Sequence, residues 1–442
     1  METSSSAAPR VAVVGSGIAG ITAALGLRRA GFAVEVLERD DRLGGRFGID
    51  HLGDRPVMTG GKNIGRGYSQ FRSVVAELGD HPWEPFGINS SRVIGGEIRT
   101  LDTSHLARSL RHTFEVASPV DLGRLGVMAA RIRADRANAF LGSPYFSALG
   151  RRRDVAPLSA HFGAKLVQNM LRPMTIRMNG AEPDEVYLGT FGTNLSLMLD
   201  TYEQLTDGIQ PVLREFESRI PVVTGATVRG LVVEAGRVRG VHVEISGETV
   251  ERDYDGVVLA TPAYAAAELL SESRPALAER LTQVRYFPST VVLVEYDRPF
   301  FESRVRALVL DEGPCTNVGA YGADDRHIVR YTFSGRDGRL EPTPELLSAW
   351  VDQAEQDVAG YLHSAPGKRI RSISRHWPAA YCAYGPYYAD LLTDVRRQLT
   401  DTPGLALCGD YLFGVNLEAC SRSGAAAAAA LTDYLERAVV PA

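Results

Sequence analysis

Three stretches of the chain carry residues whose types and spacing could do chemistry. In the first, Gly15, Gly17 and Gly20 follow directly on the apolar run Val11–Val14 and lead into a stretch whose Ile21, Ala24, Leu25 and Leu27 share one helical face. Gly15 permits a tight turn, Gly17 lets the backbone approach a pyrophosphate, and Gly20 brings helix and strand close. Ile18 and Ala19 fall in the first helical turn, whose unpaired N–H groups and dipole favour an anion. A second apolar run, Ala33 to Leu37, ends at Glu38, which is placed to accept hydrogen bonds from ribose hydroxyls, with Arg39 beside it. A glycine triplet alone says little. Strand, glycines, helix, strand and acid in this order specify an adenine-dinucleotide cradle over Val11–Arg46, with NAD and FAD both open.

The second stretch holds Gly44-Gly45-Arg46 and then Gly60-Gly61-Lys62-Asn63. The glycines allow close approach to a ligand, and the Arg46 guanidinium can pair with phosphate. Lys62 can hold an anion or activate oxygen, or simply pack over Gly61. The third stretch comprises Ser374 to Tyr388, SRHWPAAYCAYGPYY, and the C-terminal PGLALCGDYLFGVNLEACSRSG. Trp377, Tyr381, Tyr384 and Tyr387 could line a cavity for a flat or apolar substrate, or pack in a core. His376 could act as a general base or stand as a structural partner of Trp377. Near the C-terminus, Leu405–Leu407 reads as a buried strand, Gly409-Asp410 as a turn, and Leu417 onward as a helix with Asn416 as its N-cap.

The elements that must position these groups follow from periodicity. Residues 221–262 alternate as antiparallel strands, with turns at Glu234-Ala235-Gly236 and Ser246-Gly247. STVVLVEYDRPFF and HIVRYTFSG read as strands, and Glu345 to Leu362 as an amphipathic helix. Between Trp83 and Leu205 the pattern is helix-rich, with basic helical stretches at Leu106–Phe114 and Val127–Phe140, and Pro173 is expected to end a helix. With 442 residues, 45% hydrophobic and 23% charged, the chain can build more than one domain. A net charge of −5 gives no reason to expect nucleic acid or an anionic membrane surface as partner. Four cysteines without CxxC spacing argue against a disulfide framework and a metal site. The polar opening METSSSAAPR reads as a short disordered leader, and no apolar run reaches membrane-spanning length, so a cytoplasmic location and no membrane insertion are expected.

The cradle followed by LGGR resembles the large FAD superfamily that includes flavin amine oxidases, protoporphyrinogen oxidases and phytoene-type desaturases. There the first unit holds the ADP half of FAD and the GGR arginine lies near the phosphates. The resemblance implies that Gly60, Gly61, Lys62 and Asn63 pass beside the isoalloxazine ring, although Thr59 stands where the family has an Asp. It implies backbone contacts from Val228 to the adenine, and it takes 202–265 as the second cofactor segment. GVNLEACSRSG is similar to the protoporphyrinogen oxidase form of the C-terminal closure; Asp410 would bind the ribityl or pyrophosphate region, and Val415, Asn416 and Leu417 would meet the flavin. The glycine pair that accompanies a flavin-linking cysteine in monoamine oxidases is missing around Cys382, so FAD is expected to be non-covalent. Asn416 falls at or beside an aromatic-cage position of amine oxidases. A neutral amide cannot sandwich an amine between rings, which turns the expectation towards a larger cyclic or polyene-like substrate.

The expected fold is α/β: a Rossmann-like FAD-binding domain with an antiparallel meander, formed by 9–80, 202–265 and 396–442. An inserted α+β, helix-rich substrate-binding domain would comprise 81–201 and 266–395. The expected function is FAD-dependent oxidation, with hydride leaving a CH–CH or CH–NH bond of a small molecule for flavin N5 and oxygen or another acceptor closing the cycle. Lys62, His376 and Tyr384 are candidate catalytic residues, and Trp377, Tyr381, Tyr387 and Asn416 candidate substrate contacts. A flavin-dependent isomerase without net redox, a nicotinamide dehydrogenase and a non-catalytic flavoprotein are the alternatives. The oligomeric state is open.

Overall fold

The computed structural model describes residues 8–86, 89–94, 97–102, 117–302 and 304–439. Five parallel strands form its first sheet, in the order Val222–Val223, Ala33–Leu37, Arg10–Val14, Gly256–Leu259, Leu405–Leu407. Both faces are covered, as a parallel sheet requires. Val11 and Val13 face the helices Ile18–Arg29 and Leu417–Val439, whereas Ala12, Val14, Val257 and Leu259 face the helix Ala263–Leu270 and the meander.

The first and last helices pack closely because small residues line their contact. A Cβ on Gly26 would stand 2.8 Å from the Ala428 methyl, and one on Gly424 would stand 2.1 Å from the Ala19 carbonyl oxygen. The alanine run Ala425–Ala430 is therefore part of a helix seam, with Ala427 and Ala428 buried. The meander consists of Ala226–Glu234, Arg237–Ile245 and Glu248–Asp253. Its two hairpin turns place Ala235, Gly236, Ser246 and Gly247 at φ of 48°, 80°, 54° and 86°, the left-handed pairs that match strand twist.

A seven-stranded sheet runs in the order Arg369–Ala383, Arg285–Tyr296, Ile328–Phe333, Cys315–Ala320, Ala307–Val309, Asn89–Ile94, Glu97–Asp102. Alternation on Ile328–Phe333 decides what the sheet offers on each side. Val329, Tyr331 and Phe333 pack under the helix Pro344–Leu362. Ile328, Arg330 and Thr332 fall on the opposite face, where Ile328 meets Leu52, Val57, Val291 and Leu293.

Several expectations need correction. The stretch after Trp83 opens with the strands Trp83–Pro85, Asn89–Ile94 and Glu97–Asp102 before the helix Pro119–Ala134. The expected helix at Leu106–Phe114 and most of the leader lie outside the described residues. Pro173 does not end a helix: helical backbone continues from Ala164 to Asn179, with a π-helical segment at Val167–Leu171 directly before Arg172-Pro173. The widened turn shifts the hydrogen-bond ladder where proline has no N–H to give. Tyr202–Leu205, where the second cofactor segment opens, is a strand, and a helix follows at Gln210–Arg219.

Candidate cofactor and substrate site

The dinucleotide cradle is shaped by backbone approach. Gly15 sits at φ 102° with its N–H on the Leu37 carbonyl at 2.8 Å, and a Cβ on Gly20 would fall 2.0 Å from the Gly15 oxygen. Gly17, at the start of the helix Ile18–Arg29, has no side-chain cap, and a Cβ there would meet nothing within 4 Å. The helix N-terminus therefore opens onto free space. Glu38 is held from both sides: one carboxylate oxygen accepts from the Ser16 N–H (2.8 Å) and hydroxyl (2.6 Å), the other from the Asp40 N–H (3.0 Å). Arg39 is exposed, with its Nε 3.4 Å from Asp40. Val228 lies in the meander opposite Val243.

The glycine pair brings a second backbone to this space. Gly44 and Gly45 adopt φ of 98° and 53°, and a Cβ on Gly45 would find Gly17 Cα at 3.7 Å as its nearest neighbour. Arg46 donates through Nη1 to Asp410 Oδ2 at 2.7 Å and to the carbonyls of Ala379 and Ala380 at 3.3 and 3.2 Å. Burial opposes the charge on Arg46, but Asp410 outweighs it and holds the guanidinium above its ordinary range. Asp410 also accepts from the Tyr286 hydroxyl at 2.9 Å. Thr59, which replaces the family's acid, donates to the buried carboxylate of Asp50, itself paired with Arg42.

Gly60 is packed, since a Cβ would lie 1.7 Å from the Arg46 carbonyl oxygen, whereas Gly61 is exposed and faces open space. Among the described residues, Asn63 Oδ1 and Thr261 Oγ1, the latter residue packed against Gly15, are buried without a hydrogen-bond partner, as is Trp377 Nε1 on the strand Arg369–Ala383. An open helix N-terminus, facing glycine backbones, an oriented Glu38 and unsatisfied polar atoms fit a dinucleotide that carries a polar ring system. Gly15, Gly17, Gly45, Arg46 and Glu38 would hold its ADP half, with Gly61 and Asn63 beside the ring.

Lys62 turns inward from Gly61. Its Nζ donates to Gln204 Oε1 at 2.9 Å and lies 4.4 and 3.9 Å from the ring centroids of Phe86 and Tyr321. Burial, reinforced by Arg330, pulls it from its ordinary 10.5 down to about 7, although Asp325 and Glu84 act the other way. Arg330 donates to the Gly60 carbonyl at 2.8 Å. Burial holds both Arg330 and Arg177 below the usual guanidinium range, and Tyr381 is within electrostatic reach of both.

The aromatic wall is only partly assembled. Trp377 and Tyr381 lie on the strand Arg369–Ala383 opposite Ser289 and Phe287, with the Arg375 guanidinium 4.8 Å from the Trp377 centroid. His376 Nδ1 is 2.9 Å from the Thr290 hydroxyl. Tyr384 belongs instead to the core: its ring meets Tyr388 edge-on, its hydroxyl donates to the Asp410 carbonyl at 2.9 Å, and it is 4% exposed. Tyr387 is 42% exposed at φ 55°, heading the helix Tyr388–Thr400. Neither stands with Trp377, because the strand ends at Ala383 and the chain turns away. Asn416 caps the last helix through Oδ1 to the Ala419 N–H at 2.8 Å, flanked by half-buried Val415 and Leu417. The Gly409 N–H donates to the Ser423 hydroxyl at 3.0 Å. Sequence reasoning missed Arg177, Arg330, Gln204 and Tyr286. For Arg330 the signal was present: an arginine at an inward position of the strand pattern IVRYTF.

Fold and site together define an FAD-dependent oxidoreductase. The chain belongs to the flavin containing amine oxidoreductase family, whose model matches residues 18–432. It is 25% identical to the coproporphyrinogen III oxidase of Mycobacterium tuberculosis, over 97% of this chain and 98% of that protein. Among solved structures, the cyclohexylamine oxidase of Brevibacterium oxydans IH-35A superposes with a TM-score of 0.73 at 19% identity, covering 98% of this chain and all of that one. A CLA-producing fatty acid isomerase from P. acnes gives a TM-score of 0.68 at 15% identity, covering 98% and 99%. At these identities the two structures speak to the fold alone.

Proposed function

We propose that this enzyme oxidises a C–H bond of a cyclic or hydrophobic small metabolite lying between Gly61 and the aromatic pair Trp377 and Tyr381. The single observation that carries the reading is the open face at Gly61, two residues from the buried, unpartnered Asn63 Oδ1. When bound, FAD supplies the hydride acceptor. The chain's own groups position and insulate: Trp377 and Tyr381 offer flat apolar surface, and Lys62 Nζ, poised near pH 7, can hold or release a proton. His376 meets the Thr290 hydroxyl through Nδ1, which orients its ring and leaves Nε2 to hold or release a proton. The N-terminus of the Leu417–Val439 helix would favour negative charge at the cofactor.

The same reading assigns 9–80, 202–265 and 396–442 to the cofactor domain, with 81–201 and 266–395 bearing the substrate. A cytoplasmic setting is supported by four buried cysteines, all free. Among the described residues no helix is long and apolar enough to cross a membrane. Oxygen is the proposed acceptor. The test is anaerobic mixing of the purified yellow protein with cyclic polyenes, tetrapyrrole precursors and amines. Bleaching by one of the first two classes is expected, with oxygen uptake on readmitting air. Bleaching by simple amines alone would overturn the substrate assignment, and turnover without oxygen uptake or product oxidation would replace it with isomerisation.

A further inference from the structure

The helix Pro144–Arg153 starts at the wall of a cleft of about 480 Å³, a volume ordinary for a small-molecule site. Gln70, Arg136 and Arg422 line it together with Phe140, Leu141 and Phe413, so it joins cationic and amide groups to apolar surface. None of the six is assigned above to the cofactor or the substrate. Arg422 is already matched in charge: it donates to Glu418 at 2.6 Å and to the Ser69 hydroxyl at 3.0 Å, with its guanidinium 5.0 Å from the Phe140 ring centroid. Arg136 has no such match. Among the described residues no carboxylate forms a salt bridge with it, and its hydrogen bond, to the Gly67 carbonyl, is 3.4 Å long. The neighbouring acids are engaged elsewhere, Asp135 by the Ala137 N–H at 2.9 Å and Asp200 by the Gly67 N–H at 3.1 Å. Ser143, also in the wall, precedes the helix Pro144–Arg153 without capping it. It is 4% exposed, and its hydroxyl has no hydrogen-bond partner among the described residues. An uncapped helix start of this kind favours negative charge.

The cleft touches the cofactor side through Phe413. The Leu141 N–H donates to the Phe413 carbonyl at 3.0 Å, and Phe413 ends the turn Asp410–Phe413. Beyond it, Gly414 has little slack, since a Cβ there would meet the Ala419 methyl at 3.3 Å, and Asn416 caps the last helix. We propose that this cleft is a second ligand site, which takes an aromatic carboxylate and acts on the bound flavin through Phe413. The carboxylate takes the Arg136 guanidinium, with the Gln70 amide beside it, and the flat apolar body lies against Phe140, Leu141 and Phe413. The ligand is an effector and is not itself oxidised. Its binding goes beyond the proposed function, and its effect on the flavin rests on that reading.

The test titrates the FAD-loaded full-length protein with cinnamate and with uncharged cinnamamide, following heat by calorimetry and the flavin absorption band in parallel. Cinnamate is expected to bind more tightly than cinnamamide and to shift the flavin band. Arg136→Gln is expected to weaken cinnamate about 10-fold, the loss of a charge-assisted contact, while leaving cinnamamide unchanged. Arg136→Lys keeps the charge without the fork and is expected to lose less. Ala137→Trp, which fills the cleft from its rim, is expected to abolish binding and the band shift with flavin content unchanged. If Ala137→Trp does not fold, Arg136→Gln and Gln70→Ala decide the matter. Cinnamate held by the variants as tightly as by the wild-type protein would put it elsewhere and overturn the site. Equal binding of cinnamate and cinnamamide by the wild-type protein would overturn the choice of an anion, and binding without a band shift would overturn the coupling to the flavin. Calorimetry needs no flavin, so a colourless protein that binds cinnamate in the cleft refutes the functional reading and leaves the site standing.

Discussion

Replacing Lys62 by methionine isolates the consequence of burying an amine between Phe86 and Tyr321. Methionine has similar length and can fill the space between the rings without a charge. In the folded protein Lys62 titrates at about 7 instead of 10.5, so the charged form is destabilised by about 5 kcal/mol relative to the unfolded chain. The sign follows from proton counts. Between pH 7 and 10.5 the unfolded chain binds the proton and the native protein has lost it, so stability rises with pH in that window. Below pH 7 both states are protonated, and the full cost applies without further slope. From pH 7 to pH 9 the wild-type protein should gain about 2 kcal/mol over Lys62→Met. With an unfolding entropy of about 0.9 kcal/mol/K for 442 residues, that is about 2–3 °C in apparent Tm. The assay is thermal unfolding of both proteins at half-unit pH steps from 5 to 10, read as the difference between their Tm values. Other titrating groups are common to both and cancel in that difference. The lost hydrogen bond to Gln204 shifts the variant's curve as a whole but not its slope. Parallel curves from pH 7 to 9 would refute a depressed Lys62, and a wild-type protein that loses stability relative to the variant over that range would reverse the argument's sign.

Gly20→Ala should cost more than about 4 kcal/mol and leave little soluble protein, because its methyl meets backbone oxygen. Gly17→Ala should fold normally yet retain less flavin after gel filtration, since its methyl points into open space that the cofactor needs. Tyr384→Phe orphans one acceptor on the Asp410 carbonyl and should lower stability by about 1–3 kcal/mol in thermal unfolding, with no change in the pH dependence of flavin bleaching. A lost or shifted pH profile would restore Tyr384 to catalysis. Asn416→Ala removes the N-cap of the last helix and should cost about 0.5–2 kcal/mol, measured the same way.

The cofactor cradle was legible because its constraints are local. Gly15, Gly20 and Glu38 owe their types to backbone contacts and bonds that a short stretch already implies, and the meander's turns show in Ala235-Gly236 and Ser246-Gly247. The substrate side was not, because its contacts join distant segments. Arg330 meets Gly60 across 270 positions and Lys62 meets Gln204 across 142, and no spacing rule links them. The aromatic cluster misled for the opposite reason: neighbours in sequence, Tyr381, Tyr384 and Tyr387, part company where strand gives way to turn and helix.

The seam between Ile18–Arg29 and Leu417–Val439 also bears on how the protein is made. The helix Ile18–Arg29 is synthesised well before Leu417–Val439, the helix that covers its Gly26. At about 5–20 residues per second the wait is on the order of 20–90 s. Until then the first helix lacks its partner, and the Arg46–Asp410 junction that closes the cradle cannot form. A cradle that holds its cofactor only when closed would therefore wait for the segment from Asp410 through Leu417–Val439 to be made.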